Sequence, residues 1–360
     1  MTINSAGAAE SEFQTKEYFS SNGLDLINAA SAYDQGYTGK GVLIGLLDTP
    51  MREDHPELSG KFEVIAALDK DGHLVANPTT WTQDVSHGTH VDSIMAAKKD
   101  DIGMHGVAFD SNVVGQVYIG LQSYYFADDK KFFQAHPEIK ILNNSWNGMA
   151  VDKSFVPNGE VYSVQEAKKL AMTEGVKPHS GQLVKWAIEN PNSLAVVAAA
   201  NDGWVSPSFM GMLPRYYGSE LGNWVTVVSL NPLDATRKDG KISLGPTGLS
   251  LFSNIARGAE LFTVSAPGGY ISAADAVTNG YTIKSGTSMA TPQVSGAAAL
   301  VAQAFPWMNG KQLADVILTT ANSNIECPDI LVGFDESTER HWFSTIFLQK
   351  NLLKNRLSRP

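Results

Sequence analysis

The chain has 360 residues, 43% hydrophobic and 18% charged, the balance of a soluble globular protein with one large core and not of a disordered one. A formal net charge of -10 and a pI near 5.3 remove the electrostatic footprint of a nucleic-acid binder and any broad attraction to anionic lipid. A single cysteine, Cys327, excludes an intramolecular disulfide framework, and no apolar run reaches the roughly 18 residues of a membrane span.

The N-terminus "MTINSAGAAESEFQTKEYF" lacks the basic start and apolar core of a secretory signal, so the chain is either cytoplasmic or an exported protein without its targeting segment. Residues 1–22 read as a flexible polar lead-in to a folded domain over 23–325. In chain order, strands are predicted at 41–48, 112–119, 140–146, 194–201, 224–230 and 261–267. Several of these runs are apolar on both faces, as strands of a helix-covered parallel sheet are. Helices are predicted at 87–98, 123–135, 163–172, 180–190, 288–305 and 309–321, an order that makes a single α/β domain with helices on both faces of the sheet. The tail, 326–360, ends in "HWFSTIFLQKNLLKNRLSRP", which is basic and reads as a loosely attached tail or an amphipathic helix.

In such sheets functional groups collect at the carboxyl ends of strands, where loops lead into helices. "GVLIGLLDTP" ends a buried strand in Asp48, a carboxylate that must be hydrogen-bonded or paired to be tolerated there. A turn-forming aspartate is the plain alternative. "DVSHGTHVDSIMAA" places His87 at the start of a helix, with Gly88 allowing close backbone approach. His87 and His90 have the spacing of a metal pair, but the glutamate of an HExxH site is missing. "SGTSMATPQVSGAAAL" sets Ser288 ahead of a buried helix among small residues. A helix cap would explain Ser288 alone. Gly286 before it and Pro292, expected within the first turn, point instead to a serine at the positive end of a helix with room for a substrate.

A nucleophile needs a base and an orienting acid. The chain order Asp48, His87, Ser288 departs from the Ser, acid, His order of α/β-hydrolases and from the His, Asp, Ser order of chymotrypsin, and it is the subtilisin order.

With these blocks in place the chain resembles the subtilisin-like serine proteases over residues 24–322, "HGTH" and "GTSMATP" being specific together. The resemblance implies a three-layer α/β fold with a mostly parallel central sheet, and it makes Asp48 the orienting acid, His87 the general base and Ser288 the nucleophile. "AVVAAANDG" aligns Asn201 with the side-chain donor of the oxyanion hole, and the Ser288 amide would be the second donor. "LNNSWNGM" resembles the segment that pairs with the extended substrate, with Ser145, Trp146, Asn147 and Gly148 lining a pocket of apolar or aromatic preference. A structural calcium is implied at the Glu57 and Asp100 carboxylates and the carbonyls of Ile102 and Met104, with no cofactor for catalysis itself.

Four positions depart from the family pattern: Pro50 replaces a glycine, Asp92 and Ser93 stand where small residues are usual, and Gln293 replaces a common histidine. A buried Asp92 must be paired, or else faces and perturbs His87. No inhibitory prosegment is recognisable. "LGNWVTVVSLNP" and "LFTVSAPGGYI" resemble the passenger proteases of Gram-negative autotransporters, which implies a secreted or cell-surface location, although the alternating strands of a membrane barrel are not seen.

The function expected is a serine endopeptidase acting on protein or peptide substrates through an acyl-enzyme. The alternatives are a non-cleaving peptide-binding pseudoprotease on the same scaffold and a processing protease dedicated to one partner. A nucleotide-binding enzyme is the least favoured reading, for want of GxxxxGK[ST] and GxGxxG.

Overall fold

The computed structural model describes residues 12–65, 67–68, 74–75, 82, 86–117, 129–146, 162–172 and 178–326. Seven strands form its central sheet: β1 (Leu43–Asp48), β2 (Phe62–Ile65), β3 (Asn112–Val117), β4 (Ile141–Asn144), β5 (Leu194–Ala198), β6 (Trp224–Leu230) and β7 (Thr263–Pro267). Their order is β7-β6-β5-β4-β1-β3-β2, every pairing parallel. The inner strands are largely apolar because both faces are covered. Ile44 and Leu46 of β1 join one core cluster and Leu47 the other, and in β5 Val196 faces one cluster while Ala195 and Val197 face its opposite. This is the three-layer α/β architecture expected, with Phe62–Ile65 an edge strand of the main sheet that the sequence pattern did not signal.

The principal helices are α1 (Lys16–Ser20), α2 (His87–Ala96), α3 (Val164–Ala171), α4 (Pro178–Glu189), α5 (Thr287–Ala304) and α6 (Gly310–Thr320). Helices α2, α5 and α6 pack on one face, while α3 and α4 supply Ala167, Ala171, Leu183 and Trp186 to the core on the other. Each predicted helix is present within about two residues, except that only Asp129–Ala135 of the predicted 123–135 segment is described. An antiparallel hairpin, β8 (Ile271–Ala274) with β9 (Tyr281–Lys284), leads from the sheet into α5.

Between 12 and 22 the chain is docked, in contrast to the flexible lead-in read from its polarity. Thr15 caps α1 by accepting from the Tyr18 amide, Tyr18 is fully buried with its hydroxyl donating to the Leu24 carbonyl, and Asn22 donates to the Tyr270 carbonyl. One aromatic side chain in a core pocket outweighs the polar composition around it. At the other end Ile325–Glu326 pairs as a short strand with Lys241–Leu244, and the proposed tail from 327 onward lies outside the described residues.

Strand order reverses at β1, whose two neighbours are β3 and β4, so the crevice at the carboxyl ends of β1, β4 and β5 is the expected place for a site. Asp48, Ser145 and Asn201 all lie at those ends.

Candidate active site

Asp48 is fully buried at the end of β1, and its Oδ1 accepts from the Thr49 amide at 2.7 Å and from His87 Nδ1 at 2.6 Å. A carboxylate only accepts, so Nδ1 carries the proton and Nε2 is left to accept one. The two residues meet because the start of α2 is laced to the loop after β1. Gly88 N donates to Thr49 Oγ1 at 2.8 Å, and Arg52 N donates to Thr89 Oγ1 at 3.0 Å. A side chain at position 88 would meet the Thr49 carbonyl at 2.5 Å, which is why a glycine follows His87. Pro50 is accommodated in this loop, where the donated bonds come from its neighbours.

His90 is buried with Nε2 against the Thr282 carbonyl at 3.2 Å, and desolvation pulls its pKa down to about 3. The two histidines point to different partners, which removes the metal-pair reading, and His90 is a neutral packing residue. Asp92 is fully buried too, and the charge that acts on it is Lys61, not His87.

Ser288 is the second residue of α5, whose N-cap position is Gly286, so the helix-cap explanation of Ser288 does not hold. The capping is supplied from outside the helix. Asn201 Oδ1 accepts from the Thr287 amide at 2.8 Å and from Thr287 Oγ1 at 3.0 Å. This fixes the amide rotamer and leaves Nδ2 as a donor beside Gly286. The preceding Ala200 sits at φ 96°, a left-handed conformation that is strained for alanine, and its own amide and carbonyl are held by Thr287 Oγ1 and Asn254 N.

Pro292 is the sixth residue of α5, in its second turn and not the first as expected. A proline there cannot donate to the carbonyl four residues back, which is that of Ser288. Ser145 Oγ fills the gap, donating to the Ser288 carbonyl at 2.9 Å, and in return Ser288 Oγ donates to the Ser145 carbonyl at 2.7 Å. The Ser288 hydroxyl therefore rests on β4's end and not on His87.

Of the four residues expected to line a substrate pocket, Ser145 makes this pair. Trp146 is only 5% exposed and packs in the core beneath the site, where its indole supports the β4 end instead of offering a broad open wall. Asn147 and Gly148 lie outside the described residues.

Around the expected calcium ligands, Glu57 Oε1 accepts from the Tyr281 hydroxyl, and Asp100 Oδ1 accepts from the Ile102 amide at 3.2 Å. Glu17 of α1, which the sequence reading missed, accepts from the Asp100 amide at 2.9 Å. One oxygen each of Glu17 and Glu57 is buried without a hydrogen-bond partner among the described residues. Burial, and then Asp100 and Glu17, push the Glu57 pKa up to about 7. Two orphan carboxylate oxygens in mutual repulsion fit a hard divalent cation. Still, no group of three acid, histidine or cysteine side chains converges among the described residues, so backbone carbonyls would have to complete the shell.

The sequence reading also missed Lys284. No motif marks it, and only the hairpin geometry brings it to the site: its Nζ donates to Ser86 Oγ at 2.8 Å, immediately before His87.

The sequence model of the Subtilase family, Peptidase_S8, matches residues 39–344. An extracellular serine protease of Serratia marcescens is 31% identical over 352 residues, covering 88% of this chain and 32% of the relative, so the chain spans about a third of that protein's length. Thermitase of Thermoactinomyces vulgaris is 30% identical over 292 residues, covering 79% of this chain and 84% of the relative. The crystal structure of a cold-adapted subtilisin-like serine proteinase shares the fold, with a TM-score of 0.53 at 20% identity over 86% of this chain and 90% of that one. A family pattern matched over most of the chain, on a parallel sheet of the matching architecture, places this protein in the subtilase family.

Proposed function

We propose that the chain is a serine endopeptidase that cleaves protein or peptide substrates through an acyl-enzyme, with Asp48, His87 and Ser288 as its triad. The observation that carries this reading is the 2.6 Å contact between His87 Nδ1 and the buried Asp48 carboxylate, which leaves Nε2 unprotonated toward the crevice. Ser288 Oγ turns about its Cα–Cβ bond from the Ser145 carbonyl toward Nε2, gives up its proton and attacks the peptide carbonyl. Asn201 Nδ2 and the Ser288 amide, an unpaired donor in the first turn of α5, hold the oxyanion. His87 then protonates the leaving amine, and water repeats the cycle on the ester. The clamp of Asn201 on Thr287 means that the donor is positioned before substrate arrives, so no reorganisation is required as charge develops.

The Ser145 end of β4 would receive the extended substrate backbone, with Asn147 and Gly148 continuing that wall. The two orphan carboxylates, Glu17 and Glu57, with the carbonyls of Ile102 and Met104, would hold a structural Ca²⁺, which neutralises their repulsion and takes no part in the reaction. A secreted or surface location, as for the passenger protease of an autotransporter, is supported by the extracellular Serratia relative. No helix among the described residues is long and apolar enough to cross a membrane.

The test is incubation of the purified, folded chain and its Ser288→Ala variant with a proteome-derived peptide library, followed by sequencing of new termini. Cleavage that depends on Ser288 establishes the activity and reads its specificity; a broad profile speaks against a dedicated processing role. A folded chain that binds peptides and cuts none overturns the reading.

A further inference from the structure

We infer that Lys284 is a tuning residue for the Asp48–His87 pair, a fixed cation that disfavours protonation of His87 and extends the use of the base toward acid pH. The inference deepens the protease reading and rests on it.

The geometry comes from three elements. Lys284 ends β9, and its ammonium is anchored by Ser86 Oγ at 2.8 Å. Ser86 is fully buried in the N-cap position of α2, directly before His87. The Asp48 carboxylate, from β1, has one oxygen used by Thr49 and His87, and its Oδ2 is buried without a hydrogen-bond partner among the described residues. Such a carboxylate is short of compensation, and a nearby cation supplies it through space.

The groups that act on one another here are few. Asp48 and Asp275, the latter in the turn between β8 and β9, both favour the charged form of Lys284, while burial works against it and leaves its pKa below that of an ordinary lysine. Lys284 and His87 both act against a charge on His90, the other titratable group of α2 at this end. Ser288 of α5 and Ser145 after β4, which bond to one another, are neutral. Arg52, also in the loop after β1, is turned to Asp54, Asn279 and the carbonyls of Ala276 and Thr278. Among the described residues, Lys284 is the cation anchored at this end of α2. When His87 takes the Ser288 proton, a second positive charge appears beside the first, so the cost falls on the imidazolium and moves the acid limb of the reaction downward.

The experiment follows the second-order rate of Ser288 labelling by a fluorophosphonate between pH 5 and 9, in low and high salt, for the wild-type chain, Lys284→Met, Lys284→Arg and Ser86→Ala. Folding of each is checked by circular dichroism. The inference predicts that the acid limb of Lys284→Met moves up by roughly half a pH unit, the size expected of one partly screened charge. Lys284→Arg should keep the wild-type limb, Ser86→Ala should fall between, and high salt should draw the wild type toward the methionine variant. A lowered plateau with an unmoved limb is what a merely structural contact gives, and it would overturn the inference, as would coincident limbs in all four proteins. A folded wild type that never labels removes the protease reading itself, and this inference with it.

Discussion

The two ends of α2 treat buried charge in opposite ways. At its N-terminus the fully buried Asp48 accepts from the Thr49 amide and His87, and Lys284 stands nearby. One and a half turns further on, Asp92 is equally buried, and neither of its oxygens has a hydrogen-bond partner among the described residues. Its neighbour Lys61 spends its donors on the carbonyls of Ala96 and Phe109, at the C-terminal end of the same helix. Burial pushes the Asp92 pKa up to about 8, against the pull of Lys61. Lys61 keeps two acceptors for its charged form and Asp92 has no donor for its own, so the proton stays on Asp92. Of two equally buried carboxylates on this helix's flank, one is met by donors and the other by none.

The largest effects should appear at the N-terminal end. Ser288→Ala or His87→Ala should lower kcat by about 10⁶, since such residues act as one unit, and Asp48→Asn by about 10⁴. Steady-state kinetics on one peptide substrate reads all three; a loss under tenfold for Asp48→Asn would mean that the 2.6 Å contact is only structural. Next comes Asn201→Ala, for which kcat should fall 10²–10³-fold with little change in KM, because its donor acts on the transition state. An effect confined to KM would assign Asn201 to ground-state binding instead.

Chelation tests the third cluster of carboxylates. Removal of Ca²⁺ with EDTA should lower the Tm by a few degrees, through loss of linkage, and Glu17→Gln should reduce that difference. An unchanged Tm would leave Glu17 and Glu57 without the cation argued for them.

The smallest effect is expected at Asp92. Its folded pKa is raised, so between about pH 4 and 8 the native state holds a proton that the unfolded chain has released, and stability falls as pH rises through that window. Asp92→Asn should flatten this slope, gaining stability at pH 8 and little at pH 4.5, as read by urea denaturation. Parallel slopes for the two proteins would show that Asp92 is ionised when buried, and the contrast along α2 would fail.

Most of the central sheet was legible because strands covered on both faces are written as apolar runs. Phe62–Ile65 was not, since it is a short edge strand in which the exposed Glu63 breaks the apolar run. Asp48, His87, Ser288 and Asn201 stood out as candidates through short motifs whose order along the chain is the subtilisin order. What the motifs left out is what the third dimension adds. The pairing of Ser145 with Ser288 arises because Pro292 deprives one carbonyl of its donor, a consequence that could have been read by counting back four residues. Lys284, Lys61 and Glu17 carry no motif, and only the fold brings each beside its partner. The lead-in was misjudged because composition averages over a segment, whereas docking depends on a single buried Tyr18.

The measurement that tests the central claim most directly is fluorophosphonate labelling of the folded chain at neutral pH, with the modified residue located by peptide mapping. The account predicts one label per chain, on Ser288, abolished in Ser288→Ala and His87→Ala. A folded chain left unlabelled, or labelled equally without His87, would contradict an Asp48–His87 pair that activates Ser288.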